Sequence, residues 1–180
     1  EDVPLVIPEI NKDTITLNKK IIANPNCTTT LLDMILFPLL KINNIKINRM
    51  NISTYQAASG AGINGLSELE TQMKEYVNNN GEIKTMTYWN KEYAMNVFSH
   101  NSPIDLTNLH NQEELKVIKE TKKILGVNIP MSITCMRVCT IRSHILTVNI
   151  EFNRDINYTE IINVLTNSNG IFIFDDHINN

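Results

Sequence analysis

The chain has 180 residues, 42% of them apolar and 19% charged, with a formal net charge of −3. That length and apolar content suit one cored domain, with or without an appendage. With 16 basic and 19 acidic residues, no run of Lys or Arg and no apolar stretch of membrane length, nucleic-acid binding and a bilayer span are both excluded from the expectation. The Asn- and Ile-rich composition reads as compositional drift, with Asn78–Asn80 as a loop. No signal-peptide pattern is present. Three cysteines make no secreted disulfide framework, so a reducing, cytoplasmic setting is expected.

In chain order, Val3–Ile7 reads as a short strand between Pro4 and Pro8, followed by a linker. Ile21–Ala23 is expected to be a strand, and Thr28 to about Lys41 a buried helix kinked or shortened by Pro38. Ile45–Tyr55 alternates loosely and reads as a strand, and Ser59-Gly60-Ala61-Gly62 as a flexible turn. Leu66, Leu69, Met73 and Tyr76 share one face of the next predicted helix. Thr85–Trp89 is a further candidate strand. Asn111 as N-cap, Glu114 three residues on, Leu115, Ile118 and Leu125 facing inward, and Gly126 as C-cap predict a helix over 111–126. Ser132–Val138 and Ile145–Phe152 are predicted strands. In the second, Leu146, Val148, Ile150 and Phe152 alternate with polar residues, as in a sheet with one covered face. Asn157 and Glu160 suggest another capping box, and Ile171–Phe174 a last strand. The fold class expected is α+β, a mixed sheet covered by helices.

The chemistry concentrates in Ile21 to Thr30, IIANPNCTTT. Cys27 stands where a predicted strand hands over to a helix. The unpaired N–H groups and the dipole there favour an anion, which biases a thiol toward the nucleophilic thiolate. A helix terminus supplies up to about 2 kcal/mol, so a nearby base is expected to supply the rest. Among four histidines the candidate is His144, seven residues after Arg137 in the turn between two predicted strands. The plain alternatives are a small buried hydrophobe at Cys27 and a surface or core histidine at 144. Cys135 and Cys139 have no second Cys or His pair with which to hold zinc, and no metal is expected.

Five motifs, NPNCTT, STYQAASGAG, NVFSHNSPI, KETKKILG and TCMRVCTIRSH, occur in an order and spacing that resemble aspartate-β-semialdehyde dehydrogenase, in the branch of bacterial and plant-plastid enzymes. The resemblance extends from DVPLVIPEIN to IFIFDD. Glyceraldehyde-3-phosphate dehydrogenase and N-acetyl-glutamyl-phosphate reductase use a Cys and a His on a similar architecture, but Tyr55 to Gly60 favours the semialdehyde enzyme.

The resemblance implies a glyceraldehyde-3-phosphate dehydrogenase-like catalytic domain. It also implies NADPH-dependent reductive dephosphorylation of L-aspartyl-4-phosphate through a cysteine thioester, within lysine, threonine and methionine biosynthesis. By the same resemblance Cys27 is the nucleophile and His144 the acid/base. Gln56, Arg137 and Glu120 bind substrate, Lys123 meets phosphate, and Ser59 and Gly60 border the cofactor. Residues 1–20 would be the tail of a nucleotide-binding domain and linker, and 21–180 a catalytic and dimerisation domain ending early. NADP(H) would be held mostly by an N-terminal domain that the sequence lacks. A first residue of Glu1 fits a piece of a longer protein, inactive alone, and the expected assembly is a homodimer. Two other readings stay open: a non-catalytic dimerisation fragment or degenerate paralogue, and a Cys–His hydrolase or acyl transferase. Cys139 departs from the family pattern and would be silent or an extra oxidisable thiol.

Overall fold

A computed structural model describes residues 3–174. Its elements are α1 (Pro8–Asn11), α2 (Cys27–Leu39), β1 (Ile47–Gln56), α3 (Gly62–Asn78), β2 (Val97–Ser99), α4 (Gln112–Leu125), β3 (Met131–Val138), β4 (His144–Phe152) and α5 (Tyr158–Thr166). The four strands form one sheet in the order β2-β3-β1-β4, with β2 antiparallel to β3. This is the α+β class the sequence implies.

The chain divides into two units. The first holds residues up to Asn51, Lys116–Ser132 and those from Val148 on; the second holds Ile52–Leu115 and Ile133–Thr147. The core of the first gathers Leu39, Ile42, Ile45 and Leu165, with Ile150, Phe152, Ile161 and Val164 packed against them. The core of the second gathers Ala58, Leu69, Ile83, Trp89, Tyr93 and Ala94. Its aromatic rings meet edge to face, Trp89–Tyr93 at 4.6 Å and Tyr93–Phe98 at 5.0 Å between centroids, the arrangement ring quadrupoles favour.

Several local predictions hold. Asn111 N–H donates to Glu114 Oε2 and Glu114 N–H donates to Asn111 Oδ1, both at 2.9 Å, a reciprocal capping box. Gly126 stops α4 with φ 68°, its N–H donating to Lys122 O at 3.0 Å. Along β4 the half-buried positions are Leu146, Val148, Ile150 and Phe152 and the exposed ones Thr147, Asn149 and Glu151, as the alternation requires.

Others are corrected. Val3–Ile7 and Ile21–Ala23 are not strands; they meet only in one parallel bridge, Leu5 to Ala23, and Pro8 then starts α1. Ile171–Phe174 and Thr85–Trp89 are irregular, whereas Val97–Ser99, unpredicted, is a strand. The 82–96 segment is ordered by side chains of α3. Glu68 accepts from the N–H groups of Thr87, Tyr88 and Trp89 and from the Thr87 hydroxyl. Gln72 donates to Thr85 O and Lys91 O and accepts from Tyr93 N–H and Ala94 N–H. The buried stripe of α3 is therefore Gly65, Glu68, Leu69 and Gln72, while Met73 and Tyr76 are exposed. In α4 the buried face is likewise partly polar, Glu113, Glu114, Val117, Thr121 and Ile124; Leu115, Ile118 and Leu125 are only half-buried. At α5, Asn157 caps Thr159 N–H at 2.9 Å, but the Glu160 carboxylate pairs with Arg154 at 3.0 Å instead of closing a box.

Candidate active site

In the first unit, Asn26 caps α2: its Oδ1 accepts from Thr28 N–H at 2.9 Å and Thr29 N–H at 3.3 Å. Cys27 follows as the first helical residue, exposed, at the end where the dipole is positive. From α4, Glu120 Oε2 accepts from Asn26 N–H at 2.8 Å and from the Thr29 hydroxyl at 2.9 Å. Glu120 thereby fixes the chain on either side of Cys27 and sets its carboxylate at the dipole's positive end. Lys123, three residues on, goes elsewhere: its Nζ donates to Val3 O at 3.3 Å.

One turn deeper in α2, Asp33 is fully buried. Among the described residues neither of its carboxyl oxygens has a well-formed hydrogen bond, nor do the buried hydroxyls of Thr28 and Thr121, although Thr121 is near enough to act on Asp33. Burial pushes Asp33 up from the ordinary 3.8 to about 7; the neighbouring Thr121 hydroxyl offsets part of that rise, and the charge of Glu120 adds to it.

In the second unit, the end of β1 and the loop before β4 are stitched together. Ala57 N–H donates to Ser143 O at 3.3 Å, Ala58 N–H to Thr140 O at 3.0 Å and Ser59 N–H to Ile141 O at 3.1 Å. The Ser59–Gly62 stretch, expected as a flexible turn, is a 3-10 turn (Ala58–Ala61) running into α3. It is fixed because these N–H groups have partners. Arg137 and His144 both close on this turn. Arg137 is 4% exposed; its Nη1 donates to Ala57 O at 3.0 Å, its Nε to Asn101 Oδ1 at 3.3 Å, and its guanidinium lies 5.5 Å from the Trp89 ring. A Cβ at Gly60 would stand 3.1 Å from His144 Nε2 and 3.3 Å from Arg137 Nη1, so the bare backbone here lets both side chains approach.

The Nδ1 of His144 lies 3.1 Å from Ala57 N–H and 2.8 Å from Ser143 O. One nitrogen cannot accept from the first and donate to the second at once. With the proton on Nδ1, Ser143 O accepts it and Nε2 is the basic atom. With the proton on Nε2, Nδ1 accepts from Ala57. A ring supported in both tautomers suits a group that must take and return a proton.

Gln56, 1% exposed, ends β1. Thr54 Oγ1 donates to its Oε1 at 3.0 Å, and its Nε2 donates to Glu113 Oε1 at 2.9 Å. Beside them Cys135 is buried, and burial pushes its thiol up to about 12, with Glu113 and Glu114 adding to the rise and Thr54 and Arg137 opposing it. That is an inert thiol, unlike the exposed Cys27.

Thr54, Trp89 and Glu113 were missed by sequence reasoning. Thr54 alternates inward with Gln56 along β1, a usable signal, whereas Glu113 looks like an ordinary first-turn acid of a helix. Gly60, Arg137 and His144 thus come together within the second unit, with Ser59 in the same turn and Gln56 just before it in the chain, its side chain tied to Thr54 and Glu113; Cys27 and Glu120 come together within the first.

Gly60 is exposed, and the direction its missing Cβ would take is filled by His144 and Arg137. Among the described residues no three His, Cys, Asp or Glu side chains are grouped to hold a metal ion, and no helix is long and apolar enough to cross a membrane.

The chain is similar to aspartate-semialdehyde dehydrogenases along nearly all of its length. The protein of that name from Prochlorococcus marinus is 40% identical over 176 residues, covering 97% of this chain and 50% of the relative. That from Helicobacter pylori is 36% identical over 189 residues, covering all of this chain and 54% of the relative. The chain therefore spans about half the length of the curated relatives it matches. The crystal structure of aspartate semialdehyde dehydrogenase II from Vibrio cholerae superposes with a TM-score of 0.87 at 33% identity, covering 96% of this chain and 51% of that one. The same enzyme has been solved in complex with ASA, at 32% identity and a TM-score of 0.87. The family model described as "Semialdehyde dehydrogenase, dimerisation domain" matches residues 36–180, and the chain belongs to that family.

Proposed function

We propose that the full-length protein is an NADP-dependent aspartate-semialdehyde dehydrogenase, converting L-aspartyl-4-phosphate to L-aspartate 4-semialdehyde and phosphate. The observation that carries the reading is the closure of His144 and Arg137 on Gly60, with Cys27 exposed at a capped helix start. The Vibrio cholerae relative solved with ASA supports the substrate class.

In this mechanism the Cys27 thiolate attacks the acyl carbon. A C–S bond forms, the C–O bond to phosphate breaks, and phosphate leaves with the electron pair. NADP(H), when bound, supplies the hydride that reduces the resulting thioester. The C–S bond then breaks, the thiolate leaves, and the aldehyde is released. His144 takes and returns the proton at Nε2. Arg137 holds the substrate carboxylate, where a planar fork gives orientation as well as charge. Gln56 orients the reacting acyl group and Glu120 meets the substrate amino group; Lys123 meets phosphate only by turning away from Val3 O, its partner in this structure. The Ser59–Gly60 backbone borders the nicotinamide, while most cofactor contacts come from a nucleotide domain. The family's dimerisation domain supports a homodimer.

The test is phosphate-dependent oxidation of aspartate semialdehyde by the full-length protein with NADP. Turnover that requires phosphate supports the reading. Absence of turnover, or hydrolysis of acyl substrates without nicotinamide reduction, contradicts it.

A further inference from the structure

We infer that Glu113 is a positioning residue for Gln56, its buried carboxylate deciding which way the Gln56 amide points. The inference rests on the reading of Gln56 as a substrate-binding residue and deepens it. Thr54, Gln56 and Glu113 are 0%, 1% and 6% exposed, so none can exchange a lost partner for water.

A carboxylate only accepts, so the end of the amide facing Glu113 must be the nitrogen. The Thr54 hydroxyl then donates to the oxygen at the other end. Turning the amide by half a revolution would set its oxygen against a carboxylate oxygen with no proton between them. One N–H and one oxygen lone pair are used in these two bonds. The second N–H of Nε2 and the second lone pair of Oε1 therefore have set directions, which is what orienting an acyl group requires. Glu113 is itself held. Its N–H donates to Ser102 Oγ at 3.1 Å, and it sits in the first turn of α4, where the helix dipole favours a negative charge. Without Glu113 the amide could adopt either face, and the same Gln56 would present an acceptor where a donor is needed.

The test uses steady-state kinetics of the full-length protein for Gln56→Leu, Glu113→Leu, their double variant, Glu113→Gln, and Thr54→Val alone and with Gln56→Leu. If Glu113 acts through Gln56, each leucine variant lowers kcat/KM by about tenfold or more, and the double variant is no worse than either by more than about threefold. Glu113→Gln, whose amide can donate as well as accept, no longer dictates which end of Gln56 faces it and stays at least about fivefold below the wild type; wild-type kinetics in this variant overturn the inference. Unchanged kinetics in Gln56→Leu overturn the reading of Gln56. A damaging Gln56→Leu whose loss multiplies with that of Glu113→Leu overturns the Glu113 inference alone. Should a melt show Glu113→Leu unfolded, Thr54→Val decides, since it removes the other orienting bond with little change of shape. It must be damaging in the wild type and silent beside Gln56→Leu, and a loss that persists in the double variant overturns the inference.

Discussion

The first unit and the second treat buried carboxylates in opposite ways. Behind Cys27, Asp33 has no well-formed hydrogen bond among the described residues, and burial drives it up to about 7 against a small opposing effect of the Thr121 hydroxyl. In the second unit Glu68 lies less deeply than Asp33, though burial alone would still raise it. Yet the Thr87 hydroxyl and the N–H groups of Tyr88, Trp89 and Thr87 outweigh that and bring it below its ordinary value. Depth of burial and the number of donors aimed at a carboxylate decide together whether it is charged. The α2–α4 pair thus carries a polar group that it holds best without charge, whereas the loop beside α3 is built around one that must stay charged.

The comparison can be broken first on activity. His144→Asn, in the second unit, should lower kcat by about 10²–10⁴-fold with the fold intact, the usual loss for a positioned proton-transfer group. Asp33→Asn, in the first, should change kcat by less than about threefold, because its amide replaces a carboxyl that is already neutral below pH 7. A loss under about fivefold at His144 would return it to a structural role.

Stability against pH sharpens the comparison next. Asp33 is raised in the folded state, so the folded protein binds the extra proton between the two values. Its contribution is fully present below about pH 4 and is lost as pH rises to about 7, a swing of roughly 4 kcal/mol. Urea unfolding between pH 5 and 8 should show that decline in the wild type and a smaller one in Asp33→Asn. Equal slopes would show that Asp33 does not titrate there. Glu68 carries the opposite sign: its contribution is present above its ordinary 4.5 and falls away as pH drops below that. Glu68→Gln should destabilise by about 1.5–3 kcal/mol at pH 7, the worth of hydrogen bonds to a charged group. Unchanged unfolding would mean that the 82–96 loop does not depend on it.

A substrate-binding effect is expected at Arg137. Arg137→Lys keeps the charge but loses the fork and the Trp89 contact, costing about 1.5–3 kcal/mol in kcat/KM. Wild-type kinetics would remove Arg137 from substrate binding.

How much of this was legible depended on whether the determining partners were local. The α4 caps, the start of α2 at Cys27 and the alternation of β4 were readable because each is set by residues within a few positions. The 82–96 loop was not, because its order comes from Glu68, Gln72 and Glu75 of α3 reaching its backbone. The same long-range polar bonds turned Glu68, Gln72, Glu113 and Glu114 inward, where periodicity expects leucines. At the candidate site, Cys27, Gln56, Arg137 and His144 stood out through motif and resemblance. The Thr54–Gln56–Glu113 chain did not, since 57 residues separate Gln56 from Glu113.

The most direct test of the central claim, that Cys27 carries the acyl group, is intact-mass analysis of the full-length protein quenched during turnover with aspartate semialdehyde, NADP and no phosphate. The account predicts a single aspartyl adduct that maps to Cys27 and is absent from Cys27→Ala. An adduct that persists in Cys27→Ala, or that maps to Cys135 or Cys139, would contradict it.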